Sequence, residues 1–413
     1  MSWELKSFDE LGFIGRGKSR HRPRNDESLY GGKFPLIQTG DVKNANLYIT
    51  EYSQTYSQKG LDQSKLWEPN TLCITIAANI ADTTILGIQA CFPDSIIGFV
   101  ADEKVCDVRF IKYHFDIMQK QMQMVSQGAT QDNLSLGKLL KFKVATPPLK
   151  TQKRIANILS TYDDLIENNL RRIKLLEETA QNIYKEWFVN FRFPNYEYTE
   201  FETESGLPVG WEMKRLDEVY EFQNGYAFYT NGYSEEETPY VVVDLGNISE
   251  NGDFVVSGKE KFISESLYQD KERYHLNKYD IVVAMTDMTA RLGILAKVGV
   301  IDEDDKYILN QRVGRLRSKI DYIDFCYLNA SLSDERFISE MHQRSKGAVQ
   351  KYFNTKDIVE YSVLVPNVQI IKEFNGFYKP IIDNRIALKF QNKKLKEARD
   401  ILLPRLMNRT IEV

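Results

Sequence analysis

An internal repeat limits the folds that are open to this chain. Trp3–Leu11 aligns with Trp211–Val219 at an offset of 208 residues, with Trp, Glu, Lys, Asp and Glu identical at equivalent positions. Gly128–Gln131 aligns in the same order with Gly347–Gln350, at an offset of 219 residues. In each copy a proline and then a long helical pattern follow this second motif. Because order and spacing are kept, the sequence predicts two similar units in tandem.

Each unit begins with short runs that are typical of buried strands. Leu72–Ala77 and Ile281–Thr286 are apolar, rich in β-branched residues and bounded by polar or glycine residues. Phe34–Gln38 and Tyr240–Val243 have the same character. These patterns predict β-rich domains whose connecting loops are rich in Gly, Asn and Asp.

Each unit ends in an apolar stripe whose spacing alternates between three and four residues. The first stripe comprises Leu159, Tyr162, Ile166, Asn169, Ile173, Leu176, Ala180, Ile183 and Trp187. The second comprises Phe374, Phe377, Ile381, Asn384, Leu388, Gln391, Leu395, Ala398 and Leu402. Such spacing indicates two helices that pair, with Asn169 and Asn384 buried in the seam to set its register.

An amphipathic helix that packs on a domain core would show a similar stripe, and this remains the alternative. The matched register of the two stripes favours helix pairing. Pro380 interrupts the second stripe, so its first turns are expected to form a separate short helix.

The bulk properties indicate a soluble chain of two or three domains. At 413 residues it exceeds what one core usually organises, and its formal net charge of −4 argues against DNA binding by overall charge. No apolar run is long enough for a membrane span, and the first residues lack a signal-peptide pattern, so we expect a cytoplasmic protein. The widely spaced cysteines are expected to be buried thiols: Cys73, Cys91, Cys106 and Cys326.

The sequence gives no sign of catalysis. It contains no GxxxxGK[ST] loop, no glycine-rich cofactor fingerprint and no Asn or Asp followed by Pro-Pro and an aromatic residue. The four histidines are scattered, so no metal site is expected. Asp287 and Arg291 could suggest a nuclease, but such neighbours usually form a loop salt bridge. We therefore predict no catalytic residues and no cofactor bound by this chain.

At the first junction between strands and helix, the sequence resembles the specificity subunits of type I restriction–modification systems. The matching residues are Gly128, Ala129, Thr130, Gln131, Pro147, Pro148, Leu149, Gln152, Ile155, Ala156, Leu159, Asp163 and Ile166. Gly15–Val42 and Ser205–Val219 resemble the starts of the family's two recognition domains. The chain departs from the family at Thr151, where an acidic residue is usual, and at Val365–Phe374, which lacks the Pro-Pro.

The resemblance implies an α+β fold with two target recognition domains related by a pseudo-twofold axis. Two long helices in an antiparallel coiled coil would separate the domains. The predicted segments are recognition domain 1 (1–150), a first helical spacer (151–193), a linker (194–204), recognition domain 2 (205–367) and a second helical spacer (368–413).

The resemblance also implies the activity and the partners. Each domain would read one half of a bipartite double-stranded DNA site. Two methyltransferase subunits, and restriction subunits through them, would supply the chemistry, with S-adenosylmethionine, ATP and Mg²⁺ in those partners. The competing interpretations are a stand-alone DNA-binding repeat protein and a fused enzyme, but the repeat pattern leaves no room for a catalytic domain.

The candidate DNA-binding residues differ between the two halves. Arg16–Arg24, the basic loop, carries no acid and could supply phosphate and guanine contacts through Arg16, Lys18, Arg20, Arg22 and Arg24. The corresponding segment Gln223–Tyr233, the aromatic loop, offers Asn224, Tyr226, Tyr229 and Asn231, although its aromatic residues could belong to the core. Weaker candidates are Gln131, Lys346 and Lys351. This contrast predicts two half-sites of different sequence.

Overall fold

A computed structural model describes residues 3–77, 79–127, 134–256, 258, 260–289 and 291–413, with backbone only at 125–127. The chain divides into two compact units. Unit 1 comprises Met1–Arg171 and Lys389–Val413, and unit 2 comprises Arg172–Leu388. Each unit therefore contains one β-rich domain together with part of each long helix, whereas the sequence-based boundaries treat the helices as separate segments.

Unit 1 holds the first repeat. Its strands are β1 (Glu4–Lys6), β2 (Gly12–Arg16), β3 (Tyr30–Leu36), β4 (Tyr48–Ile49), β5 (Gln54–Tyr56), β6 (Leu66–Trp67), β7 (Thr71–Thr75), β8 (Thr83–Leu86), β9 (Ala90–Cys91), β10 (Ile96–Ala101) and β11 (Val144–Thr146). Its helices are α1 (Phe8–Leu11), α2 (Thr39–Asn44), α3 (Gln58–Asp62), α4 (Val108–Gln127), α5 (Leu136–Leu139) and the first part of α6 (Leu149–Tyr184).

The strands of unit 1 form two larger sheets and a two-stranded ribbon. The first sheet has the order β2-β10-β7-β8-β4, the second has the order β5-β3-β9-β6, and β1 pairs with β11. All residues of β7 are buried, because this central strand is covered on both faces. Strands β3 and β9 are parallel, while β5 and β6 run antiparallel to their neighbours.

Unit 2 holds the second repeat. Its strands are β12 (Glu212–Arg215), β13 (Tyr220–Asn224), β14 (Val241–Val243), β15 (Lys261–Phe262), β16 (His275–Leu276), β17 (Ile281–Ala284), β18 (Thr286–Asp287), β19 (Val298–Val300), β20 (Tyr307–Leu309), β21 (Val313–Ser318), β22 (Lys351–Tyr352) and β23 (Ser362–Val365). Its helices are α7 (Leu216–Val219), α8 (Glu265–Asp270), α9 (Phe325–Leu332), α10 (Glu335–Arg344), α11 (Thr355–Val359) and the first half of α12 (Val368–Met407).

The sheets of unit 2 repeat the strand order of unit 1. The order β13-β21-β17-β19 matches β2-β10-β7-β8, and β15-β14-β20-β16 matches β5-β3-β9-β6, with β14 and β20 parallel as β3 and β9 are. Unit 1 also has β4, which pairs parallel with β8. The ribbon of β12 and β23 matches that of β1 and β11. The predicted duplication is thus confirmed at the level of topology. Strands β14 and β17 fall within predicted strand segments, and β3 and β7 overlap theirs.

Helices α6 and α12 pair antiparallel within each unit. In unit 1, Asp163 forms an ion pair with Arg399, and Asn169 donates a hydrogen bond to Asn392. Residue numbers therefore rise along α6 while they fall along α12, as expected of antiparallel helices. In unit 2, Glu177 forms an ion pair with Arg385. The aromatic ring of Tyr184 packs edge-on against Phe374. The predicted fold class, two α+β domains with two long antiparallel helices, is confirmed.

The first predicted stripe lies largely on the buried side of α6. Leu159, Ile166, Asn169 and Ile173 are buried, while Leu176 and Ile183 are half-buried against the core of unit 2. On α12, Ile381 and Leu388 are buried, and Leu395 and Leu402 are half-buried. Burial at these positions fits both the predicted seam and the alternative that a helix packs on a domain core, because Leu159 belongs to the core cluster of unit 1 and Leu176 packs against that of unit 2.

The prediction that Asn384 lies buried in the seam is wrong, because Asn384 is exposed. The structure buries or half-buries four residues spaced by seven: Tyr378, Arg385, Asn392 and Arg399. The predicted stripe included the apolar residue Phe377, which is 58% exposed. Every second position of the stripe was therefore placed one residue before the residue that is buried or half-buried in the structure. Each of the four polar side chains has a polar partner within its own unit, which offsets the cost of burying it.

Pro380 does not divide the second helix, so that prediction is also wrong. Helix α12 runs without a break from Val368 to Met407. The proline removes one backbone donor, and its ring would crowd the carbonyl of Gly376, four residues earlier. Glycine at position 376 has no side chain of its own to add to this crowding.

The prediction of buried thiols is confirmed, since all four cysteines are buried and free. Burial raises the pKa of the Cys106 thiol to about 12, with a smaller contribution from Asp107. Among the helices in the described part of the chain, none is both long and apolar enough to cross a membrane.

Candidate nucleic-acid interface

The basic loop leaves the sheet of unit 1 at the end of β2. The N–H of Gly17 donates to the carbonyl of Ile96, and the N–H of Lys18 donates to that of Phe92. A Cβ at Gly17 would lie 2.3 Å from the Phe92 oxygen, so only glycine fits here. The start of the loop is therefore fixed against strand β10 and the residues before it.

Side chains from a distant segment hold the rest of the basic loop. The Gln63 side-chain oxygen accepts hydrogen bonds from the N–H of Arg20 at 2.6 Å and of His21 at 3.0 Å. The Ser64 hydroxyl donates to the Lys18 carbonyl at 2.9 Å. The loop backbone is thus pre-organised, which reduces the entropy lost when a ligand binds.

The five cationic residues of the basic loop are all exposed, but their surroundings differ. Arg24 makes two hydrogen bonds to the Asp94 carboxylate, at 2.9 and 3.0 Å. Arg22 donates to the carbonyls of Ser19 and His21 within the loop. Among the described residues, no ion pair involves Arg16, Lys18 or Arg20, so these three present the most available positive charge.

Lys65 adds a cation that sequence reasoning missed. Its ammonium lies 3.5 Å from the centroid of the Trp67 ring and 4.7 Å from that of Phe13, which is 57% exposed. Burial and the charge of Lys18 lower the pKa of Lys65. Lys18 and Lys65 are far apart in sequence and have no common motif, so only the fold reveals that they are neighbours.

The aromatic loop leaves the sheet of unit 2 at the equivalent place, the end of β13. A Cβ at Gly225 would lie 2.0 Å from the Asn310 oxygen, and the N–H of Tyr226 donates to the carbonyl of Leu309. Gly17 and Gly225 are separated by 208 residues, the offset of the first repeat motif. The same backbone position therefore carries Arg16 in one unit and Asn224 in the other.

The structure separates the candidate residues of the aromatic loop by exposure. Asn224, Tyr229 and Asn231 are exposed, and Tyr229 retains 76% of its accessible surface. The Asn224 amide exchanges hydrogen bonds with the Thr355 hydroxyl, which orients it. Tyr226 is half-buried, with its ring 5.3 Å from that of Tyr274.

Two further aromatic residues of this loop serve the core. Phe228 and Tyr233 pack with Val242, Ile263 and Ile308 in a small hydrophobic cluster. The alternative that aromatic residues at this spacing belong to the core therefore holds for these two positions.

The turn before β16 brings basic residues to the aromatic loop. The Lys271 ammonium lies 5.0 Å from the centroid of the Tyr226 ring, and the Arg273 Nε donates to the Gln223 side-chain oxygen at 3.0 Å. The sequence of the aromatic loop alone contains no Lys or Arg, so these cations were missed. With Lys271 and Arg273 beside it, the aromatic loop lies in a more positively charged environment than its own sequence indicates.

The weaker candidates lie on a hairpin of unit 2 or outside the described residues. Lys351 belongs to β22, which pairs with β18, and Lys346 forms an ion pair with Asp357 at 3.1 Å. Between them, Val349 is 80% exposed. Gln131 lies outside the described residues.

Asp287 does not form the expected loop salt bridge with Arg291. Its carboxylate accepts hydrogen bonds from the N–H and hydroxyl of Thr289 and from the N–H of Ile294. Burial alone would raise the pKa of Asp287, but these bonds outweigh it and the pKa is lowered. The carboxylate therefore closes the loop after β18. Within the described ranges, no cluster of three or more His, Cys, Asp or Glu residues could hold a metal ion.

The fold and these loops define a class: a duplicated recognition protein with two α+β domains on a pair of long helices. The chain belongs to the family of the type I restriction modification DNA specificity domain, whose model matches residues 2–178 and 208–397. Members of this family are specificity subunits, which confer DNA sequence specificity on a restriction–modification complex and are generally not catalytic themselves.

Individual relatives agree with this assignment. The chain is 25% identical to the type I restriction enzyme MjaIX specificity subunit of Methanocaldococcus jannaschii, over 98% of this chain and 92% of that protein. It is also 25% identical to the MjaVIII specificity subunit of the same organism, over 94% and 88% respectively. The crystal structure of the type I restriction–modification S subunit from M. genitalium has the same fold, with a TM-score of 0.59 and 15% identity over 98% of this chain and 96% of that one.

Proposed function

We propose that this chain recognises a bipartite, asymmetric DNA site, with the basic loop reading one half and the aromatic loop the other. The observation that carries the proposal is the equivalence of the two loops. Each loop leaves the equivalent strand of the equivalent sheet through a glycine that no other residue could replace, yet the residue before that glycine is Arg16 in unit 1 and Asn224 in unit 2. The two domains therefore present different chemistry from one scaffold.

The exposed residues of each loop suit different base edges. Arginine makes two hydrogen bonds to guanine in the major groove, and asparagine makes two to adenine. Arg16, Lys18 and Arg20 would supply guanine and phosphate contacts in unit 1. Asn224 and Asn231 would read adenine in unit 2, while Tyr226 and Tyr229 would pack on sugars or thymine methyl groups.

We further propose that the chain docks two methyltransferase subunits, and restriction subunits through them. A duplicated protein presents two equivalent docking faces, which favours two copies of one partner. S-adenosylmethionine, ATP and Mg²⁺ would bind in those partners, and the chain would have no catalytic activity of its own.

The two long helices would act as the spacer between the half-sites. Helix α6 has 36 residues and α12 has 40, or about 54 and 60 Å at 1.5 Å per residue. Each runs along the chain from one unit into the other. Their length exceeds one DNA turn of about 34 Å, which would let each domain reach its own half-site.

Coexpression with candidate partners tests the proposal. The chain should be produced with an adenine methyltransferase subunit in a host without its own methylation, and methylated adenines mapped by single-molecule sequencing. We expect one motif of two short, different half-sites around an unspecified gap. A single unbroken motif would contradict the bipartite proposal, and tight sequence-specific binding by the chain alone would favour the stand-alone DNA-binding protein.

A further inference from the structure

We propose that Arg273 binds a DNA backbone phosphate beside the half-site of unit 2, and that Gln223 is the positioning residue that couples this contact to Asn224. The inference rests on the proposed function and assigns the phosphate contact that the aromatic loop itself lacks. Neither residue belongs to a basic run in the sequence.

Gln223 connects the two groups through one side chain. It is buried, with 7% of its surface accessible, near the end of β13. Its oxygen accepts from Arg273 Nε at 3.0 Å, and its nitrogen donates to the Asn224 carbonyl at 2.7 Å. A single planar amide therefore holds both the exposed Arg273 side chain and the backbone of Asn224 in the aromatic loop.

The backbone of Arg273 is held as well. Arg315, whose side chain is 5% exposed, donates to the carbonyls of Arg273 and His275 at 3.4 and 3.2 Å. The next residue, Tyr274, packs its ring against Tyr226. The turn that carries Arg273 is thus fixed against the aromatic loop by both polar and aromatic contacts.

The terminal nitrogens of Arg273 remain available for a ligand. Its Nε is engaged with Gln223, and among the described residues no ion pair involves Arg273. Arg273 is an exposed residue, and a guanidinium can bind two phosphate oxygens at once through its planar fork of donors. Lys271 adds positive charge on the same turn, although Asp270 lies 2.7 Å from its ammonium.

Unit 1 lacks this arrangement, which makes the contact specific to one half-site. Gly15 occupies the position equivalent to Gln223, 208 residues earlier, and has no side chain to orient an arginine. There the loop carries its own cations and is held by Gln63 instead. Each unit thus has an exposed cation and a glutamine that holds its loop. In unit 1 the cations belong to the loop and the glutamine lies outside it, whereas in unit 2 the glutamine belongs to the loop and the cation lies outside it.

Salt-dependent DNA binding tests the role of Arg273. The complex of the full chain with its methyltransferase should be titrated with a duplex that carries the mapped site and with a shuffled duplex, at several salt concentrations. R273A should weaken binding to both duplexes by about ten- to a hundredfold, and should reduce the slope of log K against log salt by about one. R273K should keep the slope but recover only part of the affinity, because lysine lacks the fork. K278A, at an exposed lysine beyond β16, is the matched control and should bind as wild type.

A double-mutant cycle tests the role of Gln223. Q223A should weaken binding while leaving the salt slope unchanged, because the charge of Arg273 remains. The shuffled duplex reports phosphate contacts without base recognition. Q223A should weaken binding to this duplex in the wild-type background but not in the R273A background. Equal effects of Q223A in both backgrounds would show a purely structural role and overturn the coupling.

The outcomes separate this inference from the proposed function. A wild-type complex that binds its site, together with an unchanged salt slope in R273A, would overturn the inference alone. A wild-type complex that binds neither duplex would overturn the proposed function and this inference with it.

Discussion

Arg20 and Arg24 lie in the same basic loop, but only Arg24 has an acidic partner. Its guanidinium is bonded to Asp94, whereas no ion pair involves Arg20 among the described residues. We therefore expect R20A to weaken DNA binding by the partner complex and to reduce the salt slope by about one. R24A, the matched control, should change the slope much less, because its charge is already largely neutralised. Fluorescence anisotropy at several salt concentrations measures both, and equal slopes for the two variants would contradict this distinction.

His114 makes the stability of unit 1 depend on pH. Burial lowers its pKa from 6.5 to about 4, and its Nε2 has no hydrogen-bond partner in the described structure. Because the unfolded chain takes up the proton first, stability is complete above pH 6.5 and is lost as the pH falls towards 4. At pH 5 the expected loss is about 2 kcal/mol.

Urea unfolding of the full chain at pH 7 and pH 5 measures this loss. His114→Asn removes the titrating ring, so the variant should lose about 2 kcal/mol less than wild type between the two pH values. The same pH dependence in both proteins would assign the effect to other groups.

At the scale of secondary structure, the pairing of α6 with α12 depends on buried polar contacts as well as apolar ones. Asp163 and Glu177 on α6 face Arg399 and Arg385 on α12. Arg385 pairs with two carboxylates, those of Glu177 and Asp253. Burial raises the pKa of Glu177, and the nearby charge of Asp253 raises it further. With acids on one helix and bases on the other, the charges favour pairing of unlike helices in a single register.

The Asn169–Asn392 pair gives a direct test of this role. Replacing Asn392 alone by leucine leaves the Asn169 amide buried without its partner and should cost about 1 to 3 kcal/mol. Replacing both by leucine should restore most of the stability, since two apolar groups can pack there. Chemical denaturation of N169L, N392L and the double variant measures the coupling. Additive losses in the double variant would show that the two amides act independently.

At the scale of the whole molecule, the proposed spacer can be lengthened without touching either loop. A seven-residue helical insertion after Arg171 in α6 and another after Leu388 in α12 add about 10.5 Å each and keep the seam in phase. The methylated half-sites should keep their sequences while the gap between them grows by about three base pairs. Mapping methylated adenines measures the gap.

Insertion in one helix only is the control for this experiment. It should abolish methylation, because contacts such as Asn169 with Asn392 could no longer form together with Glu177 and Arg385. A change in the recognised bases with an unchanged gap would show that the helices take part in reading.

The sequence by itself determined the duplication, the buried strands and the two helices. These features depend on local sequence patterns, namely the repeated Trp motif, the β-branched runs of β7 and β17, and the apolar spacing on α6. Such patterns can be recognised without knowing any tertiary contact. The family resemblance could also be recognised from residues around Gly128 and Pro147 that are close together in sequence.

Only the tertiary structure decided which polar residues belong inside and which cations meet at a loop. Asn392 is buried and Asn384 exposed because a partner on α6 satisfies the first, and no sequence pattern records that partner. Likewise, Lys65 reaches Lys18, and Arg273 reaches Asn224 through Gln223, over separations of roughly 50 residues. Burial energies of polar groups depend on such distant contacts, so the interface could not be read from composition or spacing alone.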